Sequence, residues 1–165
     1  MIDDVRRRDG ERFVWVEETH GSPHIWRGPQ VGVPAGMHGV HPGAGVPVRI
    51  RWTAPAQIVT PTSIIIEASF QPTDITGLVD VKIVKSVGGD INQMTNLDEK
   101  LGVTNAEPFI SATDCTVTAG DTIDCVVGPA GEAVSDWTAT SITISEGFLT
   151  CVTYLPMDFN EDCYV

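Results

Sequence analysis

The chain has 165 residues, 42% of them hydrophobic and 19% charged, an apolar content that fits one domain with an extension and excludes a wholly disordered chain. Its formal net charge of -12 is unevenly spread: residues 1–52 carry seven arginines against six acids, whereas residues 53–165 carry three lysines against sixteen acids. An acidic body lacks the cations that phosphate contacts need and is repelled by anionic bilayers, so nucleic acid and membranes are excluded as partners.

The opening residues, MIDDVRRRDGERF, are polar and charged. They hold no apolar stretch, so no secretory leader is expected and synthesis is expected in the cytoplasm. Arg6-Arg7-Arg8 is bracketed by Asp3, Asp4, Asp9 and Glu11, a near-neutral cluster that suits ion pairing with a protein neighbour better than tracking of phosphates. Phe13-Val14-Trp15-Val16 favours a short strand or a clamped extended segment. Residues 21–47 then carry seven glycines and five prolines. Such a stretch is expected to form neither a helix nor a central strand. It also holds Ile25, Trp26, Val31, Val33, Met37 and Val40, which a flexible polar linker would lack and which need covering. Residues 1–47 therefore read as an extended arm. Its expected protein-contact residues are Arg6, Arg7, Arg8, Arg12, Phe13, Trp15, Ile25, Trp26, Arg27, Val31 and Met37, since arginine and aromatic side chains anchor contact surfaces.

From Val46 the pattern alternates with period two. Val46, Val48, Ile50 and Trp52 are expected inward, with Arg49 and Arg51 on the outer face. Ser63–Phe70 reads as a second strand with Ile64, Ile66, Ala68 and Phe70 on one face. Leu78–Lys85 reads as a third, with Val79, Val81 and Ile83 inward and Asp80, Lys82 and Lys85 outward. Residues 87–108 show little periodicity and read as a long loop with one helical turn near Asn96–Leu101; together with the residues up to 113 they form an expected recognition loop. Gly120 sits midway between Cys115 and Cys125, so an odd-length hairpin centred on it would set the two cysteines face to face. They then read as a disulfide or as two small buried hydrophobes, and the expected reducing compartment favours the second. Trp137–Ser145 and Phe148–Leu155 complete the set, joined at Glu146-Gly147. The acidic tail Asp158–Val165 carries Cys163, and a Cys151–Cys163 pairing is left open. Short strands with turn signals and no amphipathic helix indicate an all-β fold, an antiparallel β-sandwich of jelly-roll or immunoglobulin-like type, with a body over residues 48–165.

Motifs for chemistry are missing. There is no GxSxG, and Gly43-Ala44-Gly45 precedes a strand rather than a helix, so it does not cradle a phosphate. The acids Asp114, Asp121, Asp124 and Asp136 do not follow a calcium-loop spacing, and Asp121 and Asp124 read as turn residues. His20 with His24, and His38 with His41, form two close pairs, but the glycine and proline between them do not pre-position ligands. The histidines read as polar contact residues. No catalytic residue, metal or cofactor is expected, and the chain is read as a non-enzyme.

The layout, an arm over Val5–Pro47 followed by strands from Val46 to Leu155, resembles the decoration (cement) proteins of tailed-bacteriophage heads. The likeness is one of architecture and transfers no role to individual residues. It implies a small β-sandwich or jelly-roll protein of the virion, a homo-oligomer and often a trimer, whose arm fastens it to the major capsid protein or to other virion subunits. The alternative is a β-sandwich binding module, such as a tail or head-fibre component, that recognises a surface ligand through residues 87–113.

Overall fold

The structure, a computed structural model, describes residues 6–9, 12–16 and 24–27 as backbone strands, and residues 38–43, 45–130 and 137–147 in full. The expected strand Phe148–Leu155, the tail with Cys151 and Cys163, His20, Val31, Met37 and Asp136 lie outside the described residues.

Eleven strands are described: β1 (Arg6–Asp9), β2 (Arg12–Val16), β3 (His24–Arg27), β4 (His38–His41), β5 (Val48–Thr53), β6 (Thr62–Pro72), β7 (Val79–Ser86), β8 (Met94–Val103), β9 (Phe109–Val117), β10 (Thr122–Pro129) and β11 (Thr138–Glu146). They form two antiparallel sheets, one in the order β1-β2-β3-β4-β11-β6-β9 and the other β5-β10-β7-β8. The chain is an antiparallel β-sandwich. From β4 onward nearly every connection passes from one sheet to the other, and β7–β8 is the one pair of successive strands in that stretch that share a sheet. The interior is built from the inward positions of both layers. Ile64, Ile66, Ala68 and Phe70 of β6 meet Val79, Val81 and Ile83 of β7 and Ile123, Cys125 and Val127 of β10. Phe70 stacks on Phe109 of β9 with ring centroids 6.1 Å apart. The period-two readings of β5, β6 and β7 hold, with Arg49 and Arg51 exposed between half-buried or buried Val48, Ile50 and Trp52.

Four expectations are corrected. The glycine- and proline-rich stretch does contain a central strand: β4 pairs with β3 on one side and β11 on the other, and its Val40 is fully buried in the core. The prolines punctuate this strand rather than occupy it, because His38–His41 falls between Pro34 and Pro42. The turn that follows is bridged by reciprocal backbone hydrogen bonds between Gly43 and Val46 (2.8 and 3.1 Å), with Gly45 in the left-handed region that glycine tolerates.

Residues 87–108 are not a loop, nor is Asn96–Leu101 helical. A single 3-10 turn (Val87–Gly89) leads into β8, which pairs with β7. Two register shifts each add one residue to β8, opposite Val79/Val81 and Ile83/Val84, and bulges of this kind break the period-two pattern that marks a strand. At the first, Asp80 accepts a hydrogen bond from the Gly102 N–H (2.9 Å) and Gly102 has a positive φ. β8 also lies at a sheet edge with half of its residues exposed, where charged residues keep other strands away.

Gly120 does not centre a hairpin. β9 belongs to the larger sheet and β10 to the smaller, so the chain crosses between layers at residues 118–121. Cys115 is the register partner of Ile64, and Cys125 of Ile50 and Ile83; both thiols are free. Val117, Ile123, Cys125 and Val127 still share the core, as the apolar pattern suggested, but they reach it from two sheets. Finally, Lys85 does not stand in solvent. From β7 it spans to the other sheet, donating a hydrogen bond to the Thr116 carbonyl.

Candidate functional site

Nine of the eleven expected contact residues fall in β1, β2 and β3, while Val31 and Met37 lie outside the described residues. The pairings Arg6↔Trp15, Arg7↔Val14 and Arg8↔Phe13 join β1 to β2, and Phe13↔Arg27, Val14↔Trp26 and Trp15↔Ile25 join β2 to β3. Continued into the body, these registers form rows across the sheet. One row runs Arg6, Trp15, Ile25, Val40, Thr138; another runs Arg8, Phe13, Arg27, His38, Thr140, Phe70, Phe109. In the body these rows hold buried residues, among them Val40, Thr138, Phe70 and Phe109. Positions two apart along a strand lie on one face. The lead therefore continues the core-bearing rows of the larger sheet. Among the described residues that sheet has seven strands against four in its partner, and β1–β3 form a three-strand ribbon at its β4 end. Its composition of arginine, tryptophan and phenylalanine is that of a contact surface.

A second feature lies at one end of the sandwich, where the β5–β6 connection meets the β9–β10 crossing. Three backbone hydrogen bonds lace them together: Gly120 N–H to the Ala54 carbonyl (3.0 Å), Ala119 N–H to the Ile58 carbonyl (2.9 Å) and Ala54 N–H to the Asp121 carbonyl (2.8 Å). The side chain of Asp121, buried at 3% exposure, organises this end. Its carboxylate accepts hydrogen bonds from the backbone N–H groups of Gly88 (2.9 Å) and Thr118 (3.0 Å), and the Lys85 ammonium stands 3.3 Å away. Burial pushes this carboxyl up, but the Gly88 and Thr118 donors and Lys85 outweigh it and hold it below the usual carboxylate range. Against this end opens a cleft of about 300 Å³ lined by Trp52, Gln57, Ile58, Val59, Thr60 and Glu146, among others. Strand patterning exposed Trp52 as a β5 residue, but the cleft assembles positions far apart in sequence and carries no contiguous signal.

The outer face of the smaller sheet carries a Lys82–Glu99 ion pair (3.3 Å) and an ionic cluster around Asp124. Asp124 on β10, only 2% exposed, accepts two hydrogen bonds from Arg51 on β5 (2.7 and 2.8 Å), and Arg49 lies 3.8 Å away. The two aspartates that read as turn residues thus part company: Asp121 closes the crossing, with its N–H donating to the Thr118 carbonyl (3.0 Å), while Asp124 sits within a strand and fixes the edge arginines. Beneath them, burial first and then Asp124 push the Cys125 thiol up to about 12.

No protein-family model matches the chain, and no match is found among curated proteins.

Proposed function

We propose that this protein is a non-enzymatic structural component of a virion, a β-sandwich that decorates and stabilises a phage capsid and grips neighbouring subunits through the ribbon β1–β3. The observation that carries this reading is the excess of the larger sheet: three Arg-, Trp- and Phe-bearing strands continue the core rows at its β4 end. An interface partner laid on such rows gains apolar burial and bidentate arginine contacts together. The acidic remainder of the chain supports solubility of the outward body. The partners are the major capsid protein or other virion subunits, with self-association, in the trimeric form of decoration proteins, as part of the assembly.

The test is binding to virus particles that lack the protein. Trp15→Ala and Arg27→Glu should each weaken binding about tenfold or more, as loss of an interface anchor does, with the circular dichroism spectrum unchanged. Undiminished binding by both variants refutes the reading. The end cleft favours a second reading, a binding module for a surface ligand that uses Trp52, Gln57 and Glu146 rather than residues 87–113. In that case Trp52→Ala abolishes binding and the ribbon variants do not.

A further inference from the structure

We infer that copies of this chain pack sheet on sheet, the outer face of the smaller sheet in one copy seated on the outer face of the larger sheet in the next. The two faces expose opposite charges. On the smaller sheet, register sets Arg49, Val126, Lys82 and Glu99 in one row, and Arg51, Asp124 and Val84 in the next. Arg49, Arg51 and Lys82 are exposed. Of the acids on this face, Asp124 is buried beneath the arginines, Asp80 is half-buried and accepts the Gly102 N–H, and Glu99 is exposed beside Lys82. One carboxylate, Asp124, thus serves two guanidinium groups. Arg51 holds both of its oxygens, and Arg49, at 3.8 Å, stands beyond hydrogen-bond distance. The Arg49 donors are left for a further carboxylate, the acceptor that a guanidinium fork fits best.

The outer face of the larger sheet supplies it. Ile64, Ile66, Ala68 and Phe70 point into the core, so Ile65 and Glu67 stand outward on β6. Register places Ile110 and Asp114 of β9 on the same face, and all four are exposed. Serine, threonine and alanine fill most of the rest, and β6, β9 and β11 contain no lysine or arginine. Small side chains let a second sheet approach to the usual distance of about 10 Å. Glu67 pairs with Ala112, which makes Glu67 and Asp114 diagonal neighbours about 7–8 Å apart. Arg49 and Lys82 are two strands apart in one row, about 10 Å. Long basic side chains close that difference, so both ion pairs form at once and the half-buried Val126 between the cations is covered. Charges matched in this way orient an encounter and disfavour other arrangements. Because the two faces differ, the contact is head-to-tail: it closes into a ring where the rotation between copies allows, and otherwise continues as a stack. The inference stands on the two faces and not on capsid binding.

The experiment is zero-length carbodiimide cross-linking of the full chain in free solution, read by peptide mass spectrometry. Within one chain Lys82 reaches Glu99 at 3.3 Å, whereas Glu67 and Asp114 lie on the opposite outer face, behind both sheets. A Lys82–Glu67 or Lys82–Asp114 amide therefore joins two copies. Such links are expected at low salt beside the Lys82–Glu99 link, and should fall at least tenfold at about 0.5 M salt, where exposed ion pairs are screened. Sedimentation velocity supplies the second arm. Arg49→Gln with Lys82→Gln, and Glu67→Lys with Asp114→Lys, should each weaken self-association at least tenfold with the circular dichroism spectrum unchanged. A mixture of the two double variants should pair one to one, because each keeps the face that the other has lost. A Lys82–Glu99 link alone at low salt, a folded double variant that associates as its parent does, or a mixture of folded variants that stays monomeric overturns the inference. The cross-links decide on the unsubstituted chain even if a variant folds poorly.

Discussion

Replacing Asp121 by alanine tests how the two sheets are tied at the cleft end. The substitution strands two backbone donors, Gly88 N–H and Thr118 N–H, and deprives Lys85 of its carboxylate. Hydrogen bonds to a charged group contribute about 1.5–3 kcal/mol each, and breaking a buried ion pair by removing one partner costs about 3–5 kcal/mol. These overlap at a single carboxylate, and Lys85 keeps its bond to the Thr116 carbonyl, so the expected loss is about 3–5 kcal/mol rather than the sum. For a chain of this size that is a fall in Tm of roughly 6–20 °C. The pH dependence follows from the lowered carboxyl of Asp121. Its contribution is fully present above the pKa of the unfolded chain and is lost as pH falls through the lower folded value. Parent and variant should therefore differ by a constant amount between pH 5 and pH 7, and the difference should begin to shrink below about pH 4. Urea unfolding followed by circular dichroism at several pH values measures both. A loss under about 1 kcal/mol, or a difference that grows on acidification, refutes the argument.

Two further predictions rest on the same region and the core below it. Gly120 has φ +86 with open space around its missing Cβ, so Gly120→Ala should cost about 1–2 kcal/mol through backbone strain alone; a neutral substitution in urea unfolding would contradict the crossing geometry. Cys125 is 2% exposed and its thiol is pushed up to about 12, whereas Cys115 is half-buried and raised by burial. Alkylation of the native chain at pH 8, read by peptide mapping, should therefore label Cys115 before Cys125, and equal rates would contradict their difference in burial.

Strands that bury one face were legible in the chain. Ile64, Ile66, Ala68 and Phe70, or Val79, Val81 and Ile83, alternate because each faces the opposing sheet. β8 was hidden because its two bulges interrupt the alternation and its edge position replaces apolar residues with Asp98, Glu99 and Lys100. β4 was hidden by composition: four residues between prolines are enough for a strand when β3 and β11 supply both sets of partners. At Gly120 the local sequence fits a hairpin and a crossing equally. The choice is made far away, by the pairing of β9 with β6 and of β10 with β5 and β7. The contact residues were read from their type, Arg and Trp among Gly and Pro; their alignment into rows with Val40 and Phe70 needed the register.

The sheet topology also moves the boundary at which the arm should be cut. Removing residues 1–47 takes away β4, whose Val40 is fully buried, and is expected to unfold the body. Removing residues 1–37 spares β4 and its pairing with β11. The most direct test of the account is co-sedimentation of the full chain and of residues 38–165 with virus particles that lack the protein, each first shown by circular dichroism to be folded. The account predicts that the full chain pellets with the particles and the shortened chain stays in the supernatant; a folded 38–165 chain that pellets as fully as its parent would contradict it.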